Sequence, residues 1–429
     1  MSKDVTSMRL GGDVEITEIT LVNFRNQMMN IKSMFTTIQI YEDIFSNSLS
    51  GSIQIIDTTD LINSLPIIGE ELLHIHYNTA GYPVEMGVRQ TFKVYSLTNQ
   101  LVIGPHKMSY TLNFTTVEAE LDLNMKLTKA YSGTPTTIVD KILKTELETI
   151  KPIHMDESAN SIKFVSPYWS PFQCINYAAK NAATPNKDKF GNYLFFETSA
   201  GYRFASLNTL LSAPTAGNFF FNNDPGRDEG QRDVGAEMTK IHEMRIDERF
   251  NAIDRLMKGA FSHTLIDHNL ITKSLDTRYY HYDNQFDPKD HLEEFPVDSD
   301  EYTYNRDTLL SSTTSVPFSQ QQVKQDNLGK TLTSRFPLLN QLDLFKMDIT
   351  VHGRTDIAVG DVIFIHVGGI EKLTKEDKTG TDDYYNGRYL ITSIMHSLSS
   401  LNKHVMVMRV SKESINKEYV GMPVNTKTS

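Results

Sequence analysis

The sequence predicts a mainly β fold with an α+β insert: two similar antiparallel β-barrel domains, a small α/β domain and an extended arm. Two observations lead to this prediction. Apolar residues alternate with polar ones in short runs near both ends of the chain, which is the period of strands with one buried face. A helical period is confined largely to one middle section, which lies between the two strand-rich regions.

The composition is that of a globular protein with several domains. The 429 residues exceed the size of one ordinary core, so about two to four domains are expected. The formal net charge of −11 argues against a protein that holds nucleic acid tightly through its phosphates. The single cysteine excludes an internal disulfide framework. The same single cysteine fits a reducing cytoplasm during synthesis. The sequence shows neither a membrane-spanning apolar run nor an apolar signal core, so we expect no membrane insertion and no secretion by a signal peptide.

Residues 1–116 are predicted to form the first β-barrel domain. The stretch Ile38–Asn78 organises this domain, because Ser50-Gly51 turns the chain into one strand and Pro66 interrupts it before the next. Between these strands, the side-chain oxygens of Asp57–Asp60 are placed to accept backbone N–H groups and specify a tight corner. The runs predicted to be strands are 14–24, 34–41, 52–55, 73–77, 89–97 and 107–116.

Residues 117–235 are predicted to form a small α/β domain inserted after the first barrel. Thr134 precedes a proline in the manner of a helix N-cap, and Ser170 opens a capping box before a second helix. A hairpin is predicted over 193–204, and residues 213–236, rich in Gly, Pro, Asn and Asp, are interpreted as a linker.

The rest of the chain is predicted to hold a second β-barrel domain that is interrupted by an insertion. The second barrel is predicted over 236–282 and 343–412, with a short helix at 252–257. An arm and helix insert over 283–342 separates these two parts, with the extended arm at 283–320 and a helix at 323–336. A polar tail is predicted over 413–429.

The two β regions share an order of parts. In each, a strand enters a Thr-Asp corner, at Asp57–Asp60 or at Gly353–Asp356, and leaves through a glycine-acid step into a strand that ends in Ile75-His76 or in Ile365-His366. The alternative is that any β protein reuses such turns. A duplication predicts that the two barrels superpose with their corners equivalent.

Both β regions also resemble a known family. The run EDIFSNSLSGSIQIIDTTDLINSLPIIGEELLHIHY resembles the first barrel of baseplate hub proteins in contractile-tailed bacteriophages, which are related to the hub part of VgrG-type spikes. The runs ITVHGRTDIAVGDVIFIHV and NGRYLITSIMHSLSSLNKHVMVMRVSKES are similar to the closing barrel of the same family, and GAFSHTLIDHN with YYHYD to the opening strands of that barrel.

The resemblance implies a structural role in the phage tail. Three chains would form a ring of six barrels that adapts the six-fold tail tube to the three-fold central spike and leaves a channel for DNA. The implied partners are two further copies of the chain, the central spike protein, the tail tube protein, other baseplate proteins and the tape measure protein, with DNA passing through unbound. The implied location is the baseplate of the virion.

The histidines give no pattern that predicts a metal site. His74 and His76 lie on one face of a strand, but no third ligand has a definite spacing, so both are interpreted as solvated or interface residues. His263 and His268 receive the same interpretation. The histidines interpreted as turn and rim residues of the second barrel are His352, His366, His396 and His404.

The acidic residues and the cysteine do not predict an active site either. The acidic pairs Glu70-Glu71, Glu293-Glu294 and Asp382-Asp383 are adjacent residues and are interpreted as solvated surface. Cys174 is predicted to lie in a helical core. We therefore predict no catalytic, cofactor-binding or metal-ligating residue, no cofactor and no enzyme activity. The alternative function is a cell-wall hydrolase or carbohydrate-binding tail component on a β scaffold, which would need carboxylates or aromatics clustered in a cleft.

Overall fold

The computed structural model describes most of the chain as strands, short helices and their connections. The described residues are 10–185, 192–221, 234–248, 253, 262–270, 273–281, 286, 291–296, 308–314, 338–342, 345–368 and 385–416. Among them, no helix is both long enough and apolar enough to span a membrane.

Strands dominate the structure, which confirms the predicted fold class. In chain order they are β1 (Val14–Val22), β2 (Met28–Asn30), β3 (Phe35–Asp43), β4 (Ser50–Asp57), β5 (Leu72–Thr79), β6 (Val88–Gly104), β7 (Lys107–Thr116), β8 (Ala130–Gly133), β9 (Ile153–Met155), β10 (Ile162–Val165), β11 (Tyr193–Thr198), β12 (Gly201–Ser206), β13 (Thr215–Phe221), β14 (Ile241–Glu248), β15 (Ser262–Asn269), β16 (Ser274–His281), β17 (Phe295–Pro296), β18 (Thr308–Thr314), β19 (Phe345–His352), β20 (Val362–Val367), β21 (Gly387–Ser399), β22 (Lys403–Lys412) and β23 (Ser414–Ile415).

The helices are short and concentrate in the middle of the chain. They are α1 (Leu61–Ser64), α2 (Val117–Asn124), α3 (Pro135–Lys141), which continues as a π-helical turn (Ile142–Glu146), α4 (Pro171–Lys180), α5 (Leu207–Leu211) and α6 (Val234–Met238), with a 3₁₀ turn at Val84–Met86 and helical residues at 338–341.

One 13-stranded sheet contains two β units that are joined side by side. The first β unit, β1–β7, has the strand order β3-β4-β7-β6-β5-β1-β2. The second β unit, β13, β14 and β19–β22, has the order β14-β19-β22-β21-β20-β13. The two units meet where β21 pairs with β3, a junction called the inner seam below.

The same four-strand arrangement occurs in both units. The chain runs through β4, a corner, β5, β6 and β7, and these strands pair in the order β4-β7-β6-β5; β19, β20, β21 and β22 pair in the corresponding order. The registers agree as well: Ile53 lies opposite Leu112, and Ile349 lies opposite Met408, with the same difference in residue number on both strands. The corners Asp57–Asp60 and Gly353–Asp356 therefore occupy the same place in the two units.

Irregularities of the ladder recur at matching positions. Between β6 and β7 the register shifts between Val94 and Ser96, and between β21 and β22 it shifts between Ile391 and Ser393. A bulge strains and bends a strand, so two bulges at one position are stronger evidence of duplication than shared strand order. The duplication ends at β13, which pairs with β20 in parallel, whereas β1 pairs with β5 antiparallel.

The loops that enter β5 and β20 are closed by equivalent acids. The carboxylate of Glu71 accepts the N–H of Ile68 at 2.7 Å, and that of Asp361 accepts the N–H of Ala358 at 3.0 Å. Such bonds satisfy backbone donors that the strands leave unpaired. The glycine-acid step seen in the sequence is thus a loop closure used in both units.

A separate core lies in the α/β insert, α2 to β12. Here Ser170 accepts the N–H of Gln173 at 3.4 Å and Gln173 accepts the N–H of Ser170 at 2.9 Å, which confirms the predicted capping box. Thr134 accepts the N–H of Thr137 at 3.3 Å and confirms the other predicted N-cap.

Several sequence interpretations differ from the structure because the elements concerned are made by long-range pairing. Within 213–236, interpreted as a linker, residues 215–221 form β13, and its Phe219 is buried in the core of the second unit. Within the arm, β18 pairs with β15, and these two strands form a separate sheet with β16 rather than part of the second barrel. At the start of the predicted polar tail, Glu413 and Ile415 are buried.

The remaining domain boundaries stay predictions. The helices predicted over 252–257 and 323–336 lie outside the described residues, apart from Ile253, which is helical.

Candidate functional site: the seam between the two β units

The inner seam is an antiparallel pairing that exchanges apolar side chains between the two units. Ser393 to Ser399 of β21 lie opposite Asp43 to Thr37 of β3. Leu398, from the second unit, is buried in the core of the first, and Ile44, just after β3, is buried in the core of the second. Each unit therefore completes the core of the other.

Glu42 is the polar centre of this seam. Its carboxylate is buried, with 1% of the residue exposed, and it is contacted from three parts of the chain. Oε1 accepts the N–H of Ser199 in the insert at 2.9 Å, and Oε2 accepts the N–H of Val359 in the second unit at 3.3 Å. Nε2 of His396, on β21, lies 3.4 Å from Oε1. A buried carboxylate needs such partners, so Glu42 ties the insert and both units together.

A second imidazole extends the network. Nδ1 of His396 lies 3.1 Å from Nε2 of His404 on β22. Burial lowers the pKa of His404 well below its usual value, and the neighbouring His396 acts in the same direction. Burial alone would raise the pKa of Glu42, but His396 and the N–H of Ser199 outweigh it, so this pKa is lowered and the carboxylate is charged.

A buried ion pair within the insert positions a carboxylate that also contacts the first unit. Nζ of Lys151 lies 2.6 Å from Oε2 of Glu118 and 2.6 Å from Oε1 of Glu197. The other oxygen of Glu197 accepts the N–H of Leu49, in the first unit, at 3.1 Å. Because Lys151 is the one cation of the three groups, its removal leaves two neighbouring carboxylates without compensation.

The interpretation of His396 and His404 as rim residues is wrong. Both are buried, because they occupy inward positions of their strands, in phase with the apolar Leu398 and Met406. This alternation was visible in the sequence and could have identified them. What the sequence did not indicate is that Glu42, far away in the chain, faces them.

The other histidines make individual contacts. Nδ1 of His74 lies 2.9 Å from the hydroxyl of Thr91, and Nδ1 of His76 lies 3.0 Å from Glu18. His352 lies against His242, and burial first, then the charge of His242, lowers the pKa of His352 to about 4.

Three histidines singled out in the sequence remain: His366, His268 and His263. His366 stacks on Phe220, and His268 is exposed. The side chain of His263 lies outside the described residues. Among the residues that are described, no three His, Cys, Asp or Glu side chains are grouped as metal ligands.

Each of the two acidic pairs in the described residues has one exposed and one buried member. Glu70 is exposed, but Glu71 is buried and closes a loop, so the surface interpretation is wrong for Glu71. It is also wrong for Glu293, whose Oε1 accepts the N–H of Arg388 at 2.6 Å. The Asp382-Asp383 pair lies outside the described residues.

Cys174 is buried as predicted, with its Sγ 3.1 Å from the hydroxyl of Ser166. Burial raises the pKa of its thiol. A buried protonated thiol is a poor nucleophile, which fits a packing role.

A cleft of about 1240 Å³ lies between the first unit and the insert. Its lining includes the exposed apolar side chains of Val84, Met86 and Ile150. The buried carboxylate in its wall, Glu118, is bound by Lys151 and by the hydroxyl of Thr149 at 2.7 Å. This carboxylate therefore belongs to the ion pair described above, and both of its oxygens are bonded within the insert.

Comparison with known proteins gives a likeness of fold over nearly the whole chain. No family model and no curated protein matches the sequence. A 43 kDa tail protein of prophage MuSo2 from Shewanella oneidensis is similar with a TM-score of 0.55 and 12% identity, over 92% of this chain and 98% of the other.

Two further solved structures show the same likeness. The tail protein from Neisseria meningitidis MC58 gives a TM-score of 0.52 and 12% identity, over 93% of this chain and 97% of the other. The prophage tail protein gp18 from Listeria monocytogenes EGD-e gives 0.50 and 9%, over 92% and 95%. The resemblance read from the sequence is thereby confirmed at the level of the fold.

Proposed function

We propose that the protein is a structural hub of a contractile phage baseplate, a homotrimeric ring that joins the six-fold tail tube to the three-fold central spike. The observation that carries this proposal is the duplication of one four-strand unit, with matching registers and matching bulges, inside a single chain. Three chains then present six nearly equivalent units. The shared fold with tail proteins from three bacteria supports the same role.

The two symmetries are served by different parts of the chain. The duplicated β units provide a face with six similar positions, which suits the tube. The insert, the arm and the tail have no duplicate, so they provide a face with only three-fold order, which suits the spike. Symmetric rings of this kind close without exposed sheet edges.

The ring leaves a channel through which DNA passes without being held. The net charge of −11 supports this, because a lining rich in lysine would bind a passing phosphate backbone. Other baseplate proteins and the tape measure protein are further partners, and the location is the virion after assembly in the host cytoplasm.

The mass of the assembly tests the proposal. Light scattering of the full chain is expected to give three times the 48.8 kDa chain mass, and the complex with the spike protein is expected to contain three copies of the chain. A complex with the spike that contains one copy of the chain would overturn the hub proposal.

The chain itself is proposed to have no hydrolytic activity, since the buried carboxylates described above are engaged in structural contacts. Purified peptidoglycan incubated with the full chain is expected to stay intact. Lysis that is abolished by one Asp or Glu substitution would replace the hub by the cell-wall hydrolase alternative.

A further inference from the structure

Strand β21 has two halves with different neighbours. Its first part, up to Leu390, pairs with β20 of its own unit, and its second part, from Ser393, pairs with β3 of the other unit. From Leu390 to Ser399 the opposite edge pairs with β22. The second half is thus an extension by which one unit reaches into the next.

Strand β6 has the same two halves. In the described part of the chain, its second half lacks the neighbouring strand that β3 provides for β21. Its first part, up to Lys93, pairs with β5, and β7 covers the opposite edge to the end of the strand. Beyond Val94 no strand in the described part of the chain pairs with the remaining edge. This extension carries large apolar side chains that are exposed in the single chain: Tyr95, Leu101, Val102 and Ile103.

An exposed sheet edge with apolar side chains is a template for pairing with another strand. The duplication identifies which strand that would be. The partner of the β21 extension is β3, and the counterpart of β3 in the second unit is β14.

The equivalence of β3 and β14 holds residue by residue. Ile38 lies opposite Ile53, and Met244 lies opposite Ile349, the counterpart of Ile53. Both strands also have a register shift at their start, between Phe35 and Thr37 in β3, and between Ile241 and Glu243 in β14. In the sheet, β14 is an edge strand that pairs with β19, and no described strand pairs with its other side.

The side chains at the tip of each extension correspond as well. Leu398 lies opposite His404, and Val102 lies opposite Met108, the counterpart of His404. Leu398 is 0% exposed because it enters the core of the neighbouring unit, whereas Val102 is 69% exposed in the single chain. Between Leu97 and this tip, β6 has one residue more than β21 has over the equivalent stretch. The extra residue lies near Asn99, whose φ is 54°.

We propose that the extension of β6 pairs with β14 of a second copy of the chain, antiparallel and in the register of the inner seam. Ser397 and Leu398 lie opposite Gln39 and Ile38 in that seam. Their counterparts set Leu101 opposite Arg245 and Val102 opposite Met244 of the second copy. The contact is head to tail, and repeated copies close into a ring when the rotation from copy to copy fits. Closure therefore rests on the three-chain ring of the proposed function.

The pairing can be tested by cross-linking, because the only native cysteine, Cys174, is buried. Full chains with Leu101→Cys and full chains with Arg245→Cys are mixed at a concentration at which light scattering gives the mass of the assembly, and then oxidised. The mixture is expected to give a covalent dimer on a non-reducing gel, and neither variant alone is expected to give one. The double variant is expected to give a covalent species of the full ring mass.

The matched control is the mixture of Val102→Cys with Arg245→Cys. Neighbouring residues of a strand point to opposite faces, so this pair is expected to cross-link at least tenfold less. An assembly of trimer mass without the Leu101–Arg245 cross-link overturns the pairing and leaves the hub proposal standing. A chain that stays monomeric at every concentration and with the spike overturns both. A cross-link in either single variant alone shows a two-fold contact and also overturns the pairing.

A second variant tests the buried tip. Val102→Asp is expected to weaken association at least tenfold, with an unfolding midpoint of the single chain within error of the wild type, because Val102 is exposed there. The control is Val165→Asp, a strand valine of the insert with 68% exposure, which is expected to leave association unchanged. If Val102→Asp associates with the same affinity as Val165→Asp and the wild type, the proposed contact is contradicted.

Discussion

At the scale of single residues, Glu42 joins three parts of the structure at the inner seam. Its two oxygens accept N–H groups from the insert and from the second unit, and His396 lies beside it. A carboxylate that is buried and fully paired is tolerated, but one that loses its partners is costly, and the same holds for partners that lose the carboxylate.

The substitution Glu42→Gln is therefore expected to destabilise the protein by about 3 kcal/mol. The amide retains one acceptor oxygen but places an N–H₂ group against a backbone donor and removes the charge that faces His396. The measurement is the midpoint of urea unfolding. Glu70→Gln, at an exposed glutamate, is the control and is expected to change the free energy of unfolding by less than about 0.5 kcal/mol. Equal midpoints for the two variants would contradict the role given to Glu42.

His404 makes stability depend on pH. Its pKa in the folded protein is well below 6.5, so the folded chain leaves it neutral while the unfolded chain binds a proton below about pH 6.5. Stability is therefore expected to fall as the pH decreases through 6.5, with a slope of up to about 1.4 kcal/mol per pH unit from this residue.

The substitution His404→Gln removes this dependence while keeping an acceptor for His396. Unfolding curves at pH 7.5, 6.5 and 5.5 are expected to show a smaller loss of stability for the variant than for the wild type. His106→Gln, on the exposed turn between β6 and β7, should follow the wild-type slope. A variant His404→Gln that loses as much stability as the wild type over this range would argue against a neutral buried imidazole.

At the scale of elements, the two corners show how one backbone path is kept with different chemistry. In the first unit, Asp57 accepts the N–H of Thr59 at 2.8 Å and that of Leu61 at 2.6 Å. In the second unit the equivalent position is Gly353, and a Cβ there would lie 1.9 Å from Cγ of His404. The first corner is held by hydrogen bonds, and the second by the close approach of a buried ring.

Gly353→Ala is accordingly expected to destabilise the protein by about 1–3 kcal/mol, because the ring of His404 is packed on several sides and must move. Gly104→Ala provides the control, since a Cβ at that position meets no atom within 4 Å. Its unfolding midpoint should be unchanged or slightly higher, as is usual when a glycine is replaced at an unstrained position. The reverse order of the two midpoints would contradict the packing argument.

Local patterns in the sequence predicted local structure well. The capping box at Ser170, the N-cap at Thr134 and the acid-rich corner at Asp57–Asp60 depend on residues within a few positions of each other, and all three occur as predicted. Strand β13 was missed because its glycine and asparagine content is typical of loops, and only the pairing with β20 makes it a strand. The candidate site was missed for the same reason, since Glu42 and His396 are brought together by the inner seam alone.

At the scale of the whole molecule, the parts that have no duplicate should decide which partner binds where. The insert exposes Ile150 to 99%, at the mouth of the cleft beside the first unit. We expect Ile150→Asp to weaken binding of the spike by at least tenfold and to leave attachment of the tube unchanged, measured by sedimentation of each complex. A loss of tube attachment with intact spike binding would reverse the proposed assignment of faces.

The inner seam also determines the order in which contacts within a chain and contacts between copies can form. Because β3 and β21 belong to one chain, their pairing is a first-order step whose rate does not depend on protein concentration, and dilution cannot reverse it. A seam between copies is a second-order step that slows as the chain becomes scarce. Every chain can therefore finish its own half of the contacts before it meets another, and in the proposed ring the amount of chain that is made would set the rate of closure.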